Sequence, residues 1–324
     1  MELNDQHLPI PAHRGVAQHK DPMRLNDAPA LSVIIVNYNG GDRFLTCLES
    51  LFEHSGRQPI EVVVYDNASH DGTPDRVAER FPGVTLLRGT ENLGYCRAFN
   101  AAAKNARAPY LLALDNDTRM LAGAIDQMID FLEQHPEVGA VGSNLYNPDM
   151  TIQHAARRFP SALSGIFSRR GVFRRLFPGN HISQRDLMLD CYDSGEAFEV
   201  DWHSAASLML RRAVLDRVGG WDESYFVYWA DADLCAQIRT AGYTIFNLPS
   251  AQVIHDETLA GRKGRLNPRM VIDFHRGAYR FYRKHRIRGR ANPMAPIAWL
   301  GLAMRATTII VFDRVRWQLR RFLP

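Results

Sequence analysis

Only four cysteines occur in 324 residues, Cys47, Cys96, Cys191 and Cys235, and no two form a CxxC pair. Such spacing argues against a zinc knuckle, a dithiol redox motif or a disulfide framework, so reduced thiols in a cytosolic protein are expected. No GxGxxG follows the first apolar run, where NYNGGDRF (37–44) stands instead, and a dinucleotide such as NAD is not expected. No basic segment leading into an apolar one opens the chain. Residues 1–30 are polar, carry Pro9, Pro11, Pro22 and Pro29, and read as a disordered leader without a signal peptide. No internal repeat is visible. With 46% hydrophobic and 23% charged residues, neither wholesale disorder nor a polytopic membrane protein is indicated.

Charge is unevenly placed along the chain. From Arg262 onward sixteen Lys and Arg face two acids, Asp273 and Asp313, so this tail carries +14 and the remainder −10 within a total of +4. An acidic body with a basic tail points to an anionic partner for the tail, either a membrane surface or a nucleic acid. The body alternates short apolar runs with helical stretches: LSVIIV (31–36), IEVVVY (60–65), VTLLR (84–88), YLLAL (110–114) and VGAVGS (138–143). Near-continuous β-branched runs separated by helices are what a parallel sheet covered on both faces requires. Thr73-Pro74 reads as an N-cap and first position of a helix holding Val77 and Phe81. Gly123 to Gln134 reads as a helix stopping at His135-Pro136, and DADLCAQIRTAGY as one starting near Asp231 and capped by Gly242. The predicted class is α/β, with ligands at the carboxyl ends of the strands. Residues 152–200 interleave arginines and phenylalanines without a period and read as a loop region over a site.

Polar residues collect where these strands end. Asn37 to Asn39 close the first, Asp66 the second, ENLGYCRAFN (91–100) follows the third, and Asp115-Asn116-Asp117 closes the fourth. Carboxylates at buried strand ends cost several kcal/mol, on the order of 2–7 for a polar group, unless a partner meets them. A divalent cation, Mg²⁺ or Mn²⁺, bound with a nucleotide diphosphate is the partner that hard oxygen ligands suit. Each residue also has a structural reading: Asp66 and Asp71 as turn caps, Asp231 and Asp233 as acids favouring a helix N-terminus, His255 as a packed histidine.

SVIIVNYNG, VVVYDNASHDGT, ENLGYCRAFN, LLALDNDT and VGGWDESYFVYWADADLCAQIRTAGY, in this order over about residues 31–257, resemble the motifs of glycosyltransferase family 2, and in particular its bacterial rhamnosyltransferase-like members. The resemblance implies a GT-A fold, with 31–145 as a nucleotide-sugar half, 146–260 as an acceptor half and 261–324 as a basic helical tail. It implies that Asp66 meets the nucleobase or ribose and Asp115 the ribose. Asp117 would ligate the metal together with His255, and Asp231 would serve as catalytic base of an inverting transfer. Asn37, Asn39, Asn67, Asn92, Gly94, Arg97, Asn116, Trp202 and His203 complete the implied substrate-binding set. The implied donor is a dTDP- or UDP-sugar, dTDP-rhamnose first, and the acceptor a glycan or lipid-linked sugar in surface-polysaccharide assembly. Two departures stand out: Ala230-Asp231-Ala232-Asp233 replaces the usual Glu-Asp-x-Asp, and Ser204-Ala205-Ala206 the common Ser-Gly-Ala. The missing first acid motivates a rival reading, a non-catalytic nucleotide-sugar binder.

In the tail, NPMAPIAWLGLAMRATTIIVF (292–312) is the most apolar stretch, but Arg305 interrupts it. A central arginine costs ~2.5–3.5 kcal/mol on insertion scales, so a helix lying in the headgroup layer is expected rather than a span. The alternative is ordinary packing of 270–284 and 297–312 on the body. A membrane surface is favoured over nucleic acid because the body carries no nucleic-acid-binding motif. Peripheral attachment at the cytoplasmic face of the membrane follows.

Overall fold

The structure is a computed structural model, and it describes residues 28–159, 185–192, 194–257, 266–286 and 292–322. The leader up to residue 27 and Arg169, Arg170, Arg174 and Arg175 of the arginine-rich run lie outside the described residues.

The first half alternates as the periodicity requires: β1 (Leu31–Asn37), α1 (Gly41–Glu53), β2 (Ile60–Asp66), α2 (Thr73–Arg80), β3 (Thr85–Arg88), α3 (Tyr95–Ala103) and β4 (Tyr110–Asp115). A short β5 (Thr118–Met120), α4 (Ala124–Gln134) and β6 (Val138–Tyr146) follow. β3, β2, β1 and β4 lie side by side and parallel. Successive residues of β1 serve opposite faces. Val33 and Ile35 join Phe44, Leu48 and Leu51 of α1, while Ile34 joins Phe99 of α3. Two covered faces explain why these strands are apolar throughout rather than alternating.

The second half departs from the expected run. Two-residue strands β7 (Ile152–Gln153), β8 (Ala156–Arg157), β9 (Phe198–Glu199) and β10 (Trp202–His203) frame a single turn of helix, α5 (Leu189–Tyr192). β11 (Ser207–Arg211) then runs antiparallel between β4 and β6. Helices α6 (Arg212–Val218) and α7 (Ala230–Thr240) precede β12 (Thr244–His255), which pairs parallel with β6 and antiparallel with β5. The sheet order is β3-β2-β1-β4-β11-β6-β12-β5, a mostly parallel sheet flanked by helices. Thr73 corrects one expectation. It lies inside α2, behind Gly72, and its hydroxyl accepts the Gly41 N–H at 2.9 Å instead of capping its own helix.

The tail forms α8 (Pro268–His285) and α9 (Met294–Phe322). Arg305 is half-buried and lies on the α8 side, where burial depresses the protonation of His275 and the Arg305 charge adds to the effect. Ile297, Leu300, Met304, Val311 and Val315 form an exposed stripe at helical spacing. Met294–Leu319 is, among the described residues, the one helix long and apolar enough to cross a membrane by length and composition, with mean hydropathy 1.6.

Candidate active site

Strand register sets the floor of the site. Asn37 lies level with Asp66, and Val36 with Asp115, so the carboxyl ends of β1, β2 and β4 meet at one edge. Antiparallel pairing of β5 with β12 places Thr118 opposite His255 and returns the chain end of β12 to Asp117. The Asp256 N–H donates to the Asp117 carbonyl at 2.9 Å and closes this corner.

At that corner the His255 Nε2 lies 3.3 Å from Asp117 Oδ1 and 3.8 Å from Asp115 Oδ2. Gln153 of β7 fixes the ring from behind, with its Oε1 3.0 Å from Nδ1 and its Nε2 donating to the His255 carbonyl at 2.7 Å. Burial pushes the Asp115 carboxyl up to about 7; His255 pulls it down, while Asp117, Asp231 and Glu257 add to the rise. Burial works against a charge on His255, but the hydrogen bond to Asp117 and the charges of Asp115, Asp117 and Glu257 outweigh it and hold the imidazole at about 9. Without a metal, the imidazolium is the cation that meets these carboxylates at neutral pH; a metal bound there would take its place, with the imidazole giving up its Nε2 proton. One ligand atom from each of Asp115, Asp117 and His255 lies within 4.8 Å of the others. Two carboxylate oxygens and an imidazole suit Mg²⁺ or Mn²⁺, with further positions left to ligand oxygens and water.

A second network joins the strand ends. Asn37, wholly buried, donates to Asp66 Oδ1 at 2.8 Å and accepts from Asn116 Nδ2 at 2.9 Å. Ser69 donates to Asp66 from both its backbone N–H (3.0 Å) and its hydroxyl (2.6 Å), so the turn-capping geometry holds for Asp66. Asn39, with φ 52°, accepts the His70 N–H at 2.9 Å. Asn67 donates to Asn92 at 3.0 Å and accepts the Leu93 N–H at 2.7 Å, tying the second strand end to the loop before α3. Gly94 needs its identity twice over: its φ is 78°, and a Cβ there would stand 2.6 Å from the Phe226 carbonyl oxygen. The Arg97 Nε lies 3.9 Å from Glu223 Oε2.

Asp231 sits in the first turn of α7, its Oδ1 accepting the Ala232 N–H at 2.8 Å. Burial pushes its carboxyl up to about 6, opposed by that N–H and by Arg157. Arg157 in turn lies over the Trp202 ring at 5.2 Å. His203 differs from the expected substrate contact. It is fully buried, its Nδ1 2.9 Å from the Ser204 carbonyl and its Nε2 3.1 Å from Asn247 Oδ1, so both ring nitrogens are engaged inside the protein. Gly142 makes room for it, since a Cβ there would fall 2.3 Å from the ring. Asp233 has more than a dipole to favour, because it is fully buried and bonded to Lys284 and His285 of α8.

Three participants were not singled out from sequence. Arg43 reaches within 3.8 Å of Asp117 Oδ2 and donates to the Asp256 carbonyl. Gln153 carries no motif. The Tyr95 hydroxyl is buried without a hydrogen-bond partner among the described residues, and burial followed by the charges of Asp115, Cys96 and Asp231 opposes its ionisation. Its place directly after the Gly94 turn is the one available signal.

Comparison with known proteins bears on the family and the fold. The profile described as Glycosyl transferase family 2 matches residues 32–192. An N-acetylglucosaminyl-diphospho-decaprenol L-rhamnosyltransferase of Mycobacterium tuberculosis is 32% identical over 267 residues, covering 78% of this chain and 83% of the relative. Among solved structures, a mannosyltransferase from Pyrobaculum calidifontis in complex with GDP-Man and Mn²⁺ superimposes with a TM-score of 0.55 at 21% identity, covering 94% of this chain and 77% of that one. GalNAc-T7 with UDP, GalNAc and Mn²⁺ gives 0.56 at 13% identity, covering 80% and 48%. At these identities the two structures speak for the fold alone.

Proposed function

We propose, from the premise that this chain belongs to glycosyl transferase family 2 and is a rhamnosyltransferase-like glycosyltransferase, that it moves rhamnose from dTDP-rhamnose to a lipid-diphosphate-linked sugar with inversion. The reading is carried by the convergence of Asp115, Asp117 and His255 beside Asp231. In this reading Asp66 and Asp115 bind the nucleoside, aided by the Asn37, Asn39, Asn67, Asn92 and Asn116 network. Asp115, Asp117 and His255 would hold Mg²⁺ or Mn²⁺, which when bound offsets charge developing on the departing diphosphate. Arg43, beside Asp117, adds positive charge at the same corner.

Asp231 then takes the proton of the acceptor hydroxyl as its oxygen attacks the anomeric carbon opposite the leaving group. A carboxylate raised to about 6 is still ionised at neutral pH and is a stronger base than an ordinary aspartate. Arg157 and Trp202 belong to the acceptor side. Residues 31–145 would handle the donor, 146–260 the acceptor and 261–324 the membrane surface. The exposed apolar stripe of α9 beside a tail of charge +14 supports peripheral attachment at the cytoplasmic face.

The test is a screen of dTDP-, UDP- and GDP-sugars for Mn²⁺-dependent thermal stabilisation, followed by transfer to a prenyl-diphosphate-linked N-acetylglucosamine. A donor at 100 times its Kd should add about 2.7 kcal/mol. Stabilisation by a UDP- or GDP-sugar but not by dTDP-rhamnose would reassign the donor.

A further inference from the structure

We infer that helix α8 is a positioning element of the acceptor site: Lys284 and His285 by closing on Asp233, and Gly277 by admitting the helix against Tyr228 and Trp229, hold Asp231 in place. The inference rests on Asp231 acting as the base.

Asp231 lies between two residues that α8 controls. Ahead of it is Trp229, which has φ 72° and ψ −1°. A bulky side chain in the left-handed region is an outlier that persists only where its surroundings over-determine it. Here those surroundings come from α8. The Trp229 ring packs 5.7 Å from Phe274 and 5.5 Å from Phe281. At Gly277 a Cβ would lie 2.6 Å from the Tyr228 carbonyl oxygen and 3.1 Å from Trp229 Cδ1, so only a glycine lets the two backbones approach this closely.

Behind Asp231 is Asp233, a carboxylate with no exposure. Lys284 Nζ lies 2.9 Å from its Oδ2 and His285 Nε2 2.7 Å from its Oδ1. Tyr225 and Gln237 complete its hydrogen bonds. A carboxylate buried this deeply is tolerable only while it is paired, which makes closure of α8 a condition of the present shape of this turn. The Asp233 N–H in turn donates to the Trp229 carbonyl at 3.0 Å, the first bond of α7 that spans Asp231.

The controlling residues Phe274, Gly277, Phe281, Lys284 and His285 share one side of α8, as residues spaced three and four apart along a helix do. Leu234, Cys235 and Ile238 of α7 are anchored separately in the core under the sheet, whereas Ala232 and Ala236 pack against Phe281 of α8. Contacts of α8 therefore bear on the turn carrying Asp231. Phe281 also joins Trp202 and Phe159, which extends the device to the acceptor side.

The test uses the full chain with Mn²⁺, dTDP-rhamnose and a short-chain prenyl-diphosphate-linked N-acetylglucosamine. Gly277→Ala and Lys284→Met should each lower kcat by ~10- to 100-fold while the donor dissociation constant stays within about twofold, because a displacement near 1 Å can cost 10²-fold. Lys284→Arg should restore most of the rate by restoring the ion pair. Wild-type kcat in folded Gly277→Ala and Lys284→Met would overturn the inference. So would a loss of donor binding that parallels the loss of rate. Failure of both variants to fold would also overturn it, by making α8 a folding element. Asp231→Asn in the same assay separates the two levels: full activity there would refute the base assignment itself, whereas an inactive Asp231→Asn beside unaffected α8 variants would refute only the positioning role.

Discussion

Asp231→Asn should make the protein more stable while removing transfer. Burial raises the Asp231 carboxyl from 3.8 to about 6. The folded state therefore holds this proton more tightly than the unfolded chain. Sign follows directly: for an acid with a raised folded pKa the ionised form costs stability, nothing below pH 4 and the full amount above the folded value. Two pKa units correspond to ~3 kcal/mol. Asparagine keeps an oxygen for the Ala232 N–H but must bury an amide, which returns about 1 kcal/mol. A net gain of roughly 2 kcal/mol at pH 8 is expected, and the linkage relation predicts that about half of the carboxylate term is gone at pH 5. Denaturant melts of both proteins at pH 8 and pH 5 measure it, since groups that do not feel the Asp231 charge cancel in the difference, and Asp115, which does feel it, is eased in the same direction. Transfer should fall by ~10²–10⁴, the contribution of a positioned base. A destabilised Asp231→Asn, or a stability gap equal at both pH values, would refute the electrostatic argument. Retained turnover would refute the assignment of the base.

Asp117→Ala should abolish the dependence of donor binding on Mn²⁺, seen by calorimetry with and without metal; an unchanged metal titration would remove Asp117 from the ligand set. Gly94→Ala should cost at least ~1 kcal/mol, since it combines a positive φ with a collision against Phe226, and a melt unchanged from wild type would show that the loop yields. Truncation after residue 291 removes α9 and should release the protein from vesicles containing anionic lipid, in a flotation assay; unchanged partitioning would exclude the helix as an anchor.

Much of the donor side was legible because it is local. The runs at 31–36, 60–65 and 110–114 became β1, β2 and β4 with their polar ends in register, and the helix expected from Gly123 to Gln134 begins one residue later. Asp115 and Asp117 announced themselves by ending an apolar run. His203 did not behave as its neighbourhood implied, because nothing in DWHSAAS tells a reader that Gly142, far back in the chain, vacates the space its ring fills. Thr73 likewise looked like a cap but serves a different helix.

Hydrophobic period, strand-end carboxylates and the uneven charge are properties of neighbouring residues, so the amino-acid order alone determined the α/β class, the location of the candidate metal corner and the basic tail. Which distant groups complete that corner was decided only by tertiary pairing. The β5–β12 ladder delivers His255 to Asp117, and the docking of α8 delivers Lys284 and His285 to Asp233. Contacts between residues so far apart along the chain depend on how whole elements pack, and packing leaves no short-range trace to read.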